Sequence, residues 1–112
     1  MDAIDLRELV AFDEAGPTRS NVLESGRLWS ELLCLDRNQR YGPVRDDASD
    51  ALFLVVAGEV VVQVNRGRKR LRQWNVTLAP ATSEVVVTNA SSDPAVVLVT
   101  TAPPPTPRAV SG

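Results

Sequence analysis

From about residue 19 to residue 101, short runs rich in Val, Leu and Thr are broken by Gly, Pro, Asn and Asp. The breaks come at intervals of roughly 8 to 12 residues, the rhythm of an antiparallel sandwich or barrel. Such runs are too short for the helices of a bundle and predict strands over 19–24, 27–35, 51–57, 59–65, 68–73, 76–79, 84–89 and 95–101. In the run from Glu59 to Asn65, Val60, Val62 and Val64 share one alternating face and Glu59, Gln63 and Asn65 the other, so this strand turns one side to a core. Arg66-Gly67 reads as a tight hairpin turn and Ala57-Gly58 as a second close reversal. Helical signals are confined to 5–11, where Asp5 can cap, Glu8 follows three residues later, and Leu6, Leu9 and Val10 form a small apolar face.

With 112 residues the chain is sized for one domain. Its expected organisation is a lead with a short helix over 1–18, a β domain over 19–102, and a tail over 103–112 whose prolines favour an extended, disordered chain. The segment Pro103-Pro104-Pro105-Thr106-Pro107 could also serve as an extended ligand for a partner.

Several kinds of chemistry are missing. The chain has no histidine, which removes a Ser-His-Asp triad, any zinc site with an imidazole ligand and a switch near neutral pH. Cys34 is the single cysteine, flanked by Leu33 and Leu35, and reads as a structural thiol without a base to activate it. Twelve Lys and Arg against fourteen Asp and Glu leave a net charge of −2, so no nucleic-acid partner is expected. The charged opening from Met1 to Glu8 lacks the pattern of a secretion signal. The apolar run Ala51–Ala57 is far below the roughly 20 residues of a membrane-spanning helix, so a cytoplasmic location without membrane attachment is expected.

Two spacings belong together. Ala51 is followed by Leu52 to Ala57 and then Gly58-Glu59; Trp74 is followed after five residues by Pro80, Ala81 and Thr82, then by Val85 and Asn89. Both resemble the two signature motifs of the cupin superfamily, His-x-His, three or four residues, Glu, six residues, Gly, and Gly, five residues, Pro-x-Gly, two residues, His, three residues, Asn. Gly58, Pro80 and Asn89 match, and the likeness spans about 19–101. It implies an all-β fold, a small antiparallel β-barrel or double-stranded β-helix of jelly-roll type, and a homodimer, for which the valines of 84–89 and 95–99 offer apolar surface.

The ligand positions of the motifs are lost. The family's Glu falls on Ala51 and its second-motif His on Val85, while the His-x-His pair falls on Val44 and Asp46 or on Arg45 and Asp47. Val and Ala have no lone pair to give, so neither a metal nor a cofactor is expected and no residue is assigned a catalytic role. Two motif glycines are replaced by Trp74 and Thr82. What the resemblance then implies is a cup with Ala51 and Val85 as its floor and Arg45, Asp46 and Asp47 at its rim, with Trp29, Tyr41 or Phe53 as an aromatic wall. The expected ligand-binding set is Arg45, Asp46, Asp47, Ala51, Phe53 and Val85, and the expected function is non-catalytic: binding a small organic or anionic ligand, or regulation or assembly. The alternatives are a filled interior and a metal-independent isomerase or lyase with Asp46 or Asp47 as general base and Arg45 holding an anionic substrate.

Three other features have two readings each. In Arg66-Gly67-Arg68-Lys69-Arg70-Leu71-Arg72, alternation puts Arg68, Arg70 and Arg72 on one face, either as an anion grip or as a solvated guard of an edge strand. Asp46-Asp47-Ala48-Ser49-Asp50 is a solvated loop or a set of oxygens for a hard cation. Trp29 and Trp74 read as core or interface anchors.

Overall fold

In the computed structural model, which describes residues 1–105, nine antiparallel strands form two sheets. Along the chain they are β1 (Thr18–Glu24), β2 (Trp29–Leu35), β3 (Arg40–Arg45), β4 (Asp50–Ala57), β5 (Glu59–Val64), β6 (Gly67–Arg72), β7 (Val76–Ala79), β8 (Glu84–Thr88) and β9 (Ala95–Ala102). The larger sheet runs β1-β2-β9-β4-β7 and the smaller β3-β8-β5-β6. This is the jelly-roll arrangement, but the two sheets are not joined into a closed barrel: β1 and β7 end one sheet, β3 and β6 the other. One-face burial is satisfied equally by two packed sheets, so the alternating pattern alone does not demand closure.

Between the sheets lies a core of Leu33, Leu35, Phe53, Val55, Val60, Val62, Val85, Val87, Val97 and their neighbours. The valines of 84–89 and 95–99 are therefore divided: Val85, Val87, Val97 and Val99 are buried in this core and offer no surface to a partner. On the outer side of the larger sheet, Leu32, Cys34 and Val96 pack beneath Leu6 and Leu9. Those leucines belong to a single 3-10 turn, Leu6–Leu9, capped by Asp5, whose side chain accepts the Arg7 N–H; it is shorter than the helix expected over 5–11.

Two glycines set the corners. Gly58 has φ +73°, and a Cβ there would meet the Pro94 carbonyl oxygen at 2.4 Å, so only glycine fits. It sends the chain from β4 in one sheet to β5 in the other, a crossing rather than the reversal between paired strands expected at Ala57-Gly58. Gly42, at φ +105°, would bring a Cβ within 2.4 Å of the Val85 carbonyl oxygen.

Gly42 and Pro43 also explain the one strand the pattern hides. Proline inside a run argues against a strand, yet β3 is an edge strand whose register shifts between Tyr41 and Val44, so the missing N–H costs no ladder bond. The hairpin between β5 and β6 turns on Asn65-Arg66, one residue before the expected Arg66-Gly67, because Val64 pairs with Gly67 and Asn65 supplies the positive φ of 54°. Residues 106–112 of the expected tail lie outside the described residues.

Candidate functional site

At one end of the sandwich the sheets part around a cavity of about 210 Å³. Its apolar lining comes from both sheets: Val44 and Val85, cross-strand partners on β3 and β8, face Ala51 and Phe53 of β4, Ala79 of β7 and Val99 of β9. Ala51 sits between Ala79 and Thr101, its partners on either side, and three small side chains in a row leave the space that larger ones would fill.

Of the expected site residues, Arg45, Asp46, Ala51, Phe53 and Val85 all line this cavity. Asp47 does not line it; it is exposed and accepts a 2.6 Å hydrogen bond from Arg45 Nε. Asp46 serves its own loop, its Oδ1 accepting from Ala48 N–H at 2.9 Å and Ser49 N–H at 3.1 Å. Its carbonyl accepts from the Thr82 N–H at 2.8 Å, tying the rim to the β7–β8 turn. Tyr41 and Phe53 bring aromatic rings to the wall, whereas Trp29 stands outside the lining.

The polar side was less visible in the residue pattern. Arg19 of β1 and Glu31 of β2 line the cavity together as an ion pair. Arg19 Nε and Nη2 donate to the two Glu31 oxygens at 3.0 Å each, and the guanidinium carbon lies 5.2 Å from the Tyr41 ring centre. The pairing raises Arg19 above its ordinary range, and burial raises the Tyr41 phenol, so both keep their protons at neutral pH. Alternation in β2 holds the signal for Glu31: Glu31, Leu33 and Leu35 share one face, so a carboxylate sits in an otherwise apolar row and calls for a cation nearby. Ser49, Ser83, Thr101 and Pro105 complete the mouth, and Ser49 Oγ donates to the Pro103 carbonyl at 2.6 Å, holding the described end of the chain at the rim.

No protein-family model matches the chain. No curated protein matches it either. Among solved structures it is similar to TT1209 from Thermus thermophilus, with 31% identity over 92% of this chain and 98% of that one and a TM-score of 0.88. It also resembles an RmlC-like cupin from Desulfovibrio desulfuricans, at 24% identity, 92% and 97% coverage and a TM-score of 0.80. An uncharacterized conserved protein with a double-stranded β-helix domain from Klebsiella pneumoniae aligns at 18% identity, 92% and 90% coverage and a TM-score of 0.85. The chain has the cupin fold, a double-stranded β-helix.

The cupin motif positions can now be placed. Val44, Asp46, Ala51 and Val85 line one cavity while Asp47 does not, so the four-residue register of the first motif holds. A cupin's ordinary set of three imidazoles and a carboxylate is here two valines, an alanine and one aspartate already bonded to its loop. Among the described residues no group of three or more His, Cys, Asp or Glu converges on a point. The donor set does not fit a transition metal.

The backbone of the second cupin motif persists without its glycines. Trp74 has φ 75° and Thr82 φ 74°, the left-handed region at both positions where the family has glycine. Asn89, fully buried, donates through Nδ2 to the Leu35 and Asp93 carbonyls at 3.0 and 2.8 Å, while its Oδ1 accepts from Ser91 N–H and Oγ. No helix among the described residues is long and apolar enough to cross a membrane.

Proposed function

We propose that this cupin-fold protein is a metal-free, non-catalytic domain that binds a small organic molecule in the cavity between its sheets. The observation that carries this reading is that the cavity stays open at the positions that have lost the ligand side chains, Val44, Ala51 and Val85. An apolar cup with a few convergent polar groups is the usual form of a small-molecule site, and at about 210 Å³ it lies below the roughly 300–1,000 Å³ of drug-sized sites, which favours a compact metabolite. Both arginines have a carboxylate beside them, Glu31 at Arg19 and Asp47 at Arg45, which offsets the charge an anion would seek. A neutral ligand would instead meet the hydroxyls that Tyr41, Ser83 and Thr101 bring to the lining.

An isomerase or lyase reading is less well supported, since Asp46 Oδ1 is held by two backbone N–H groups and Asp47 lies outside the cavity. We also infer that two copies pair through the outer face of β4 and β7, where Leu52, Val76 and Leu78 are 44%, 55% and 53% exposed; Leu52→Glu with Leu78→Glu should turn a dimer into a monomer in light scattering. A reducing cytoplasm suits Cys34, a free and buried thiol.

The test of the binding reading is a thermal-shift screen of neutral and zwitterionic metabolites, sugars and small acids. A hit is expected that disappears when Ala51→Phe fills the cup; a screen without hits, or hits that survive the filling, would overturn it.

A further inference from the structure

Along one open side of the sandwich, β6 of the smaller sheet and β7 of the larger are both edge strands. Between them runs a second cavity of about 250 Å³, floored by Val62, Val64 and Leu71 and walled by Arg68, Lys69 and Thr77. The hairpin closes on Val64 and Gly67 across the two-residue loop Asn65-Arg66. Such a closing pair exchanges hydrogen bonds, and pairs alternate from there, so Gly67, Lys69 and Leu71 turn their backbone groups to β5. Arg68, Arg70 and Arg72 turn theirs to the free edge. At Arg72 that edge is taken, its N–H donating to Asn75 Oδ1 and its carbonyl accepting from Asn75 N–H, each at 2.9 Å. Among the described residues no strand pairs with the edge at Arg68 and Arg70.

The side chains of the same residues add charge to the edge. Arg68, Arg70 and Arg72 are exposed on the outer face, about 6.6 Å apart along the strand, while Leu71 turns inward. Among the described residues the ion pairs of this row go to one carboxylate, Glu59, from Arg70 at 3.2 Å and Arg72 at 3.9 Å. A protein of net charge −2 thus concentrates cations beside an unpaired strand edge and an apolar groove.

We propose that the β6 edge takes an extended acidic peptide as an added strand. Its backbone pairs with Arg68 and Arg70. Its acidic side chains, at alternate positions, face the arginine row, and the apolar residues between them enter the groove over Val62, Val64 and Leu71. Alternation in the partner follows from alternation in β6, since neighbouring strands share their faces. A nucleic-acid strand would use the arginines but leave the backbone groups and the apolar floor without partners.

The test uses the full chain and a fluorescein-labelled heptapeptide, Glu-Val-Glu-Val-Glu-Val-Glu, followed by anisotropy. We expect saturable binding that falls about tenfold or more in R68Q/R70Q, both exposed positions, with an unchanged circular-dichroism spectrum showing that the fold is kept. Of two peptides N-methylated on alternate residues, one should lose binding and the other keep it. Absence of binding, equal binding of the block peptide Glu-Glu-Glu-Glu-Val-Val-Val, equal binding of both methylated peptides, or tighter binding of a heptathymidylate would each overturn the proposal.

Discussion

Arg19 and Glu31 meet end to end: Nε donates to Oε2 and Nη2 to Oε1, both at 3.0 Å, with the carboxylate side chain 11% exposed and the guanidinium half in water. The pair joins β1 to β2 at the cavity wall, and its two members depend on it unequally.

Removing the cation leaves the more enclosed partner without a counter-charge. Arg19→Ala should therefore cost about 2 kcal/mol, less than the roughly 3–5 of a fully buried pair because Arg19 is half exposed and water replaces part of the contact. Glu31→Gln added to Arg19→Ala should recover much of the loss. Urea unfolding of the single and double variants measures both; an additive double variant would mean the pair is not coupled.

Tyr41 is the only tyrosine, so phenolate absorbance reports it alone. Burial raises its pKa above the ordinary 10.0, the Arg19 charge lowers it to a lesser degree, and Glu31 adds a smaller upward push. A folded-state value above the unfolded one means that the stability the neutral phenol contributes is fully present below about pH 10 and is lost as pH rises through the folded value. The folded protein should titrate later than the urea-unfolded chain, and Arg19→Ala should delay it further.

Trp74 and Thr82 hold φ of 75° and 74°, a region that costs a side-chain-bearing residue about 1–2 kcal/mol. Against the extra chain entropy of glycine, Trp74→Gly and Thr82→Gly should each stabilise by about 0.5 kcal/mol or more, seen as a rise of a few degrees in melting temperature. Alanine at either position keeps the strain and should bring no such gain. Trp74, 70% exposed, loses little packing on the exchange.

Asn89, itself fully buried, spends its amide on four hydrogen bonds, one to the buried Leu35 carbonyl at the end of β2 and three to half-buried or exposed residues of the β8–β9 connection. Asn89→Leu strands the buried Leu35 carbonyl and should cost about 2 kcal/mol in denaturant unfolding. Ser91→Ala, which removes part of the set, should cost less.

Because Val44, Asp46, Ala51 and Val85 line one cavity, restoring donors there should restore a site. A variant with Val44→His, Asp46→His, Ala51→Glu and Val85→His should take up one divalent transition ion by calorimetry, with a dissociation constant of about a micromolar or tighter. A variant that folds and binds none would show that these side chains do not converge.

The strands of the domain and the inward face of β5 were legible in the residues because alternation there is uninterrupted. β3 was not, since Gly42-Pro43 carries the local chemistry of a turn and only its position at a sheet edge, a long-range fact, makes it tolerable as a strand. Ala51, Phe53 and Val85 could be assigned to one cavity from motif spacing, which preserves register after the letters have changed. Arg19 and Thr101 could not, because they reach the cavity through pairings between distant strands that no local pattern encodes. The jelly roll was legible as well, while at Gly58 the sheet partner of β5 was not, because a crossing between sheets and a reversal within one look alike in sequence.

Cys34 lies beneath Leu6 and Leu9, and the 3-10 turn that carries them buries no residue of its own. The turn is thus fastened by little more than two side chains, and the sulfur under it is reached when they lift. The rate at which an alkylating reagent labels this protein is therefore a clock for its amino-terminal end, ticking at the frequency of that small opening and not of global unfolding.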